Sequence, residues 1–344
     1  MNEAKKLTQF SKSSGCGCKI EPKVLQDMLG SLNPGYRSPH LLVGSENADD
    51  ASVYDLGNGL LLLQSTDFFT PIVDDAYLFG QIAASNALSD IWAMGGKPIM
   101  ANVILGWPLD ELGPFLVSEV MQGALDICTH AGVSVAGGHS IDIPVPIFGL
   151  SVTGTCHKNE LKTNKGAKSG DTLLLTKPLG IGILSSALKK DMLSDAGYEA
   201  LRKNITQLNT FGGEVAKITG VHAMTDITGF GFVGHLLEMC KASDTTAHID
   251  WKKVPLIEEA KPLAAKLIMP DNAYRNWNAC QNEIDSQVDE AFPFLCDPQT
   301  NGGLLLSVDA KSLGEVMALA EEEQAEVHII GRMVERGGKF IVVE

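Results

Sequence analysis

The sequence predicts an α/β protein of two domains with layered mixed sheets, and three observations lead there. Its 344 residues, 44% of them hydrophobic, exceed the size at which single cores usually stop growing, roughly 250–300 residues. Short apolar runs alternate with helix-period segments through residues 53–136, the strand-and-helix order of a layered fold. The alternation starts afresh after residues 157–169, a stretch rich in Lys, Asn, Gly and Thr that reads as a domain boundary. The expected division is a mobile leading segment over 1–50, an N-terminal domain over 51–157 and a C-terminal α/β domain over 158–344.

Residues 1–14 are polar and aperiodic, predicting a segment without fixed structure until something binds. Val24, Leu25, Met28 and Leu29 recur at helical spacing behind Pro22, predicting a short helix over 22–29. Residues 53–56 and 60–65 read as strands around Gly57-Asn58-Gly59, the second too apolar to face water on either side and delivering Thr66-Asp67 at its end. Leu78, Ile82, Ala83, Asn86 and Asp90 step along a helix over 77–94 that Gly95-Gly96 stops. A strand over 99–106, a helix over 110–131 and a strand over 133–136 follow. Beyond the boundary, a strand over 172–176, a Gly180-Ile181-Gly182 turn and a helix to 190 come first. A strand over 223–225, Gly229, Gly231 and a helix over 232–240 repeat that order. Strands over 304–308 and 327–330 flank a helix over 313–323.

Composition removes several function classes. A formal net charge of −15 with no basic stripe disfavours nucleic acid or an anionic membrane as partner. Seven scattered cysteines, an odd number, do not read as a disulfide framework and fit a reducing cytoplasm. No apolar run approaches the ~20 residues of a membrane helix, and residues 1–14 lack a signal-peptide core, so a soluble cytoplasmic protein is expected.

The candidate chemistry lies in three sets of residues. Gly15-Cys16-Gly17-Cys18-Lys19 puts two thiols, two permissive backbone positions and a cation in one loop, and a nearby lysine favours the thiolate. Asp49, Asp50, Asp67, Asp90 and Asp226 each fall near an element end, where α/β folds place ligands. Oxygen ligands from separate elements suit a magnesium-nucleotide site. Singly, each aspartate is better read as a cap or turn former; collectively they are not. Ala136-Gly137-Gly138-His139-Ser140 and residues 225–231 read as glycine loops whose N–H groups could hold phosphate. The P-loop and dinucleotide fingerprints are absent from the sequence.

These segments, with Ser65-Thr66-Asp67-Phe68-Phe69, Asn86-Ala87-Leu88-Ser89-Asp90, Met94-Gly95-Gly96-Lys97-Pro98, Lys177-Pro178-Leu179-Gly180 and Cys296-Asp297-Pro298-Gln299-Thr300, resemble the selenophosphate synthetase (selenide, water dikinase) family. The resemblance runs in order along nearly the whole chain. The Asp-Asp and Gly-Gly-Lys-Pro segments are shared with the wider aminoimidazole ribonucleotide synthetase-like superfamily, and the thiol loop narrows the assignment. The resemblance implies two α/β domains, with N-terminal sheets of two subunits joined in a barrel-like homodimer. It implies conversion of ATP, selenide and water to selenophosphate, AMP and orthophosphate, with Mg2+ as cofactor and a selenium-delivering protein as a further partner.

Carried onto this chain, the resemblance makes Cys16 and Lys19 catalytic and Asp50, Asp90 and Asp226 the metal ligands. Lys19, Asn47, Ala48, Asp49, Asp67 and Asp90 then bind nucleotide, and Gly138, His139 and Ser140 reach it from the partner subunit. Asn47-Ala48 stands where some relatives carry Thr-Arg, leaving Ala48 only its backbone to contribute. Two other readings fit part of the sequence: a superfamily member activating a different small molecule, and a non-catalytic thiol or selenium carrier. Neither accounts for the thiol loop together with the full set of aspartate and glycine segments.

Overall fold

The computed structural model describes residues 6–10, 15, 19, 24, 28, 35–44 and 48–344. The helix expected over 22–29 falls largely outside the described residues, and Cys16, Cys18 and Asn47 lie outside them altogether.

In chain order the first half runs β1 (Leu41–Val43), β2 (Ser52–Gly57), β3 (Leu60–Phe69), α1 (Ala76–Ala93), β4 (Lys97–Trp107), α2 (Leu109–His130), β5 (Ser134–Asp142) and β6 (Ile147–His157). The strands form one six-stranded mixed sheet in the order β1-β2-β3-β6-β4-β5. β3 and β6 pair antiparallel along their length, from Leu60 opposite His157 to Phe69 opposite Phe148, and β5 runs parallel to β4 at an edge.

The second half runs β7 (Thr172–Leu175), α3 (Ile181–Lys189), α4 (Asp195–Thr206), α5 (Phe211–Val215), β8 (Val221–Asp226), α6 (Gly231–Ser243), β9 (Thr245–Ile249), α7 (Asp271–Cys280), β10 (Ile284–Ser286), β11 (Leu304–Val308), α8 (Leu313–Glu322), β12 (His328–Glu335) and β13 (Ile341–Val343). These strands form a seven-stranded mixed sheet in the order β10-β13-β9-β12-β7-β11-β8. Its central strands are covered on both faces, which is why they read as unbroken apolar runs. Leu173, Leu175 and Leu305 join the main core with residues of α3 and α6, while Leu174, Leu304 and Leu306 join a second core with α5 and α8.

Helix α1 connects the two halves. It is buried on every side from Leu78 to Ala93 apart from Gln81, as expected of a helix whose apolar residues form no single stripe. Asp75 caps it by accepting from Leu78 N–H at 2.8 Å. Gly80 lets α2 approach closely, since a Cβ there would lie 1.9 Å from Val120 O.

Four expectations are corrected here. Leu7–Phe10 is a 3-10 turn and not an aperiodic leader: Leu7 is buried in the main core, and Thr8 donates to Asp74 Oδ1 from its N–H (2.9 Å) and its hydroxyl (2.7 Å). β3 does not end at Ser65 but continues to Phe69. It also has one face open: Leu61, Leu63 and Ser65 point inward, whereas Leu60 and Phe68 are exposed, because no helix covers that side. Finally, residues 136–140 are strand and not loop, lying within β5.

A candidate metal-nucleotide site between the two sheets

Three carboxylates meet where α1 passes the end of β8. Asp90 lies in the last turn of α1, Asp226 ends β8 and Asp50 sits two residues before β2. One oxygen from each lies within 4.8 Å of the other two. Each carboxylate accepts a hydroxyl: Asp50 from Thr225 (2.9 Å), Asp90 from Ser65 and Asp226 from Ser89. Neutral donors of this kind orient a carboxylate without cancelling its charge. Burial and then the charges of Asp226 and Asp90 hold Asp50 well above the usual carboxylate range. Burial and then Asp67 and Asp226 do the same for Asp90, and burial raises Asp226 against the opposing hydrogen bond from Ser89. Three close carboxylates with all-oxygen chemistry and no histidine or thiol among them suit a hard divalent cation.

Asp67 extends the cluster towards the thiol loop. Its Oδ2 accepts from Asn86 Nδ2 at 2.6 Å, and its Oδ1 lies 3.5 Å from Lys19 Nζ. Gly15, at the start of the loop, donates its N–H to Thr70 O at 3.2 Å. Its φ of 56° is one that glycine adopts without strain, and a Cβ there would lie 2.6 Å from Thr300 Oγ1. The residue before Cys16 is therefore seated against both halves of the molecule.

The stretch read as a domain boundary also supplies part of the site. Asn164, fully buried, donates its carboxamide to Ala48 O (3.0 Å) and its N–H to Asp49 Oδ1 (2.8 Å), fixing the turn that presents Asp50. Ala48 itself has φ 53°. No motif singled out Asn164; its only signal was an amide residue in a polar segment.

A second set of residues that sequence reasoning missed holds α1 to the C-terminal half. Asn209 donates to Ser89 Oγ and to Gly302 O, both at 2.8 Å, and Asn301 N–H donates to Asn86 Oδ1 at 2.7 Å. Buried Lys177 donates to Gln207 O (2.6 Å) and Asn301 O (2.9 Å). Burial brings its ammonium down to about 7 despite the favourable charge of Asp226.

Gly138, His139 and Ser140 do not join this cluster. They lie in β5, three strands from β3 in the sheet, about 14 Å at the usual strand spacing. Their backbone belongs to the ladder with β4, pairing with Val103, Ile104 and Leu105, and all three are exposed.

Comparison with known proteins assigns this arrangement to a class. A family profile described as "AIR synthase related protein, N-terminal domain" matches residues 48–156, and one described as "AIR synthase related protein, C-terminal domain" matches 168–344. Two solved structures share the fold at 18% identity: a thiamine monophosphate kinase, "AaThiL complexed with AMPPCP and TMP" (TM-score 0.69, covering 93% of this chain and 91% of that one), and "Hydrogenase Maturation Protein HypE in complex with ATP" (TM-score 0.62, 96% and 92%). The fold is thus the two-domain α/β architecture of the AIR synthase-related proteins.

Whole-chain relatives narrow the class. Proteins named "Selenide, water dikinase" are 48% identical in Aeromonas hydrophila (98% of each chain) and 46% identical in Photorhabdus laumondii (100% of this chain, 99% of that one). This chain belongs to the selenide, water dikinase family.

Proposed function

We propose that this enzyme converts ATP, selenide and water to selenophosphate, AMP and orthophosphate, supplying activated selenium for selenocysteine and selenium-modified tRNA. The observation that carries the reading is the meeting of Asp50, Asp90 and Asp226 beside an Asp67–Lys19 pair at the end of the thiol loop. Magnesium ions at these carboxylates would neutralise polyphosphate charge during transfer. Lys19 adds a positive charge next to the same phosphates, and Asp67, Asp90, Asp49 and the backbone at Asn47 and Ala48 position the nucleotide. Cys16 receives or orients selenide near the γ-phosphate, raising its effective concentration. Cys18 takes no part.

The active form is a homodimer. Support comes from the uncovered face of the first sheet, where Tyr54 (36% exposed), Leu60, Phe68 (49%) and Met100 leave large apolar side chains open to solvent, as a face that a second subunit covers would. A second subunit on this face would present Gly138, His139 and Ser140 to the neighbouring nucleotide. The domains divide near residues 157–169. The protein works in the cytoplasm with a selenium-delivering protein. Among the described residues no helix is long and apolar enough to cross a membrane, and Cys128, Cys156, Cys240, Cys280 and Cys296 are free thiols. Chromatography of the nucleotide products tests the reaction: AMP formation dependent on selenide supports it, and ADP as the sole product rejects it.

A further inference from the structure

Residues 163–167, part of the stretch whose composition reads as a domain boundary, run along the free edge of β8, the strand that ends the second sheet with β11 beside it. Met224 N–H donates to Thr163 O at 3.3 Å. At Gly166, whose φ of 135° favours glycine, a Cβ would lie 2.4 Å from His222 O, so the segment presses directly on the strand that carries Asp226. We infer that Ser243, the last residue of α6, is a positioning residue for the metal-nucleotide site and acts through this segment.

Three observations carry this. First, the Ser243 hydroxyl makes three hydrogen bonds to the segment: it accepts from Gly166 N–H (3.0 Å) and Ala167 N–H (3.1 Å) and donates to Asn164 O (3.1 Å). Both lone pairs and the proton of one oxygen are thereby used. Second, the residue fixed in this way is Asn164, whose N–H and carboxamide meet Asp49 Oδ1 and Ala48 O. Ala48 has a φ of 53°, a conformation that a residue with a Cβ keeps where its surroundings dictate it. Third, Asp50, Asp90 and Asp226 bring one oxygen each within 4.8 Å of the other two, and like charges that close repel unless something holds them.

β8 carries Asp226, and the turn that Asn164 holds presents Asp50. A segment fastened to both sets the distance between them, and Ser243 is what fastens the segment to α6. Because Ser243 acts on the resting geometry of the site, its loss falls on binding more than on the transfer step. The inference rests on the proposed reading of the three carboxylates as a magnesium-nucleotide site, and the identity of the phosphoryl acceptor does not enter it.

The test is calorimetry of the full-length enzyme with Mg2+ and a β,γ-methylene analogue of ATP, beside steady-state kinetics. Ser243→Ala is expected to bind the analogue about tenfold more weakly and to raise KM for ATP by a similar factor while kcat changes less, the scale of one lost hydrogen bond. Ser243→Thr, which keeps the hydroxyl, should bind within about twofold of the parent, and Ser243→Cys, of similar shape but weaker hydrogen bonding, should fall between the two. In an Asn164→Ala background, Ser243→Ala should weaken binding by less than it does in the parent, since both changes act on one path. Thermal unfolding without metal checks that each variant is folded. Folded Ser243→Ala and Ser243→Cys proteins that bind the analogue as the parent does, or a Ser243→Ala loss that is the same with and without the Asn164 carboxamide, would overturn the inference and leave the proposed reaction standing. A parent enzyme that does not bind the analogue with Mg2+ would overturn the proposed site and this inference with it.

Discussion

Lys19 Nζ lies 3.5 Å from Asp67 Oδ1 while Asn86 Nδ2 donates to the other oxygen of the same carboxylate at 2.6 Å. One side chain on β3 thereby joins the lysine of the thiol loop to the helix that carries Asp90. The pair is partly open to solvent, so as an ion pair it contributes at most about 1 kcal/mol to stability. Its value lies in placement, and Lys19→Ala should melt within a few degrees of the unaltered protein while kcat/KM for ATP falls about 10- to 100-fold. Steady-state kinetics beside thermal melts check this, and an unchanged kcat/KM would remove Lys19 from the site.

Asp226→Asn tests the metal assignment. Removing one of three neighbouring buried charges relieves repulsion, so the metal-free variant should melt no lower than the metal-free parent. Magnesium should no longer raise its melting temperature, and turnover should fall at least about a hundredfold. Normal magnesium-dependent turnover would show that the cation lies elsewhere.

Asn164→Ala isolates the brace behind Asp50. The variant keeps the N–H that Asp49 accepts but loses the carboxamide on Ala48 O, and it leaves a small void. A loss of about 1–3 kcal/mol in denaturant unfolding and a raised KM for ATP are expected, with kcat changed less. A variant as stable as the parent with unchanged KM would make the brace incidental.

The pH dependence of stability has a separate source in Asp297. This carboxylate is fully buried, with one oxygen accepting from Gly182 N–H and from Gln299 and the other unpartnered, and burial pushes it up to about 8. A carboxyl group with a raised folded value adds stability that is complete below its unfolded value, near 3.9, and is lost as pH rises through about 8. Lys177, lowered to about 7, works in the opposite direction above that pH, so the informative quantity is a difference between proteins. Melting temperature should fall less between pH 5 and about pH 8 in Asp297→Asn than in the parent, and parallel curves would contradict this.

Much of this arrangement was legible in sequence, for reasons visible in particular residues. Asp90 and Asp226 were legible because a helix-period segment and an apolar strand each carry a carboxylate near their end. Other features were hidden because tertiary contacts decided them. Gly137 and Gly138 suggested a loop, but at Gly138 a Cβ would lie 2.2 Å from Val103 O, so the glycine serves the close approach of β5 to β4. Leu60 and Leu62 looked like a strand covered twice, although only one face has a helix against it. Asn164, Asn209 and Asn301 gave no periodic signal, since a buried amide is recognised by what it touches and not by its spacing.

The proposed dimer makes the open sheet face a testable surface. Gly138→Ala should disturb the β4–β5 edge, shifting the protein from dimer towards monomer in sedimentation and lowering ATP turnover together with it. A fully dimeric, fully active variant would show that this edge plays no part.

The most direct measurement of the central claim is phosphorus NMR of the enzyme with ATP, Mg2+ and anaerobic selenide, run beside Cys16→Ser. The expected spectrum shows AMP, orthophosphate and a selenophosphate resonance growing together. The variant should bind ATP normally and produce no phosphorus–selenium species. A parent enzyme that releases only ADP and orthophosphate, or a Cys16→Ser protein that forms selenophosphate at the parent rate, would contradict the account.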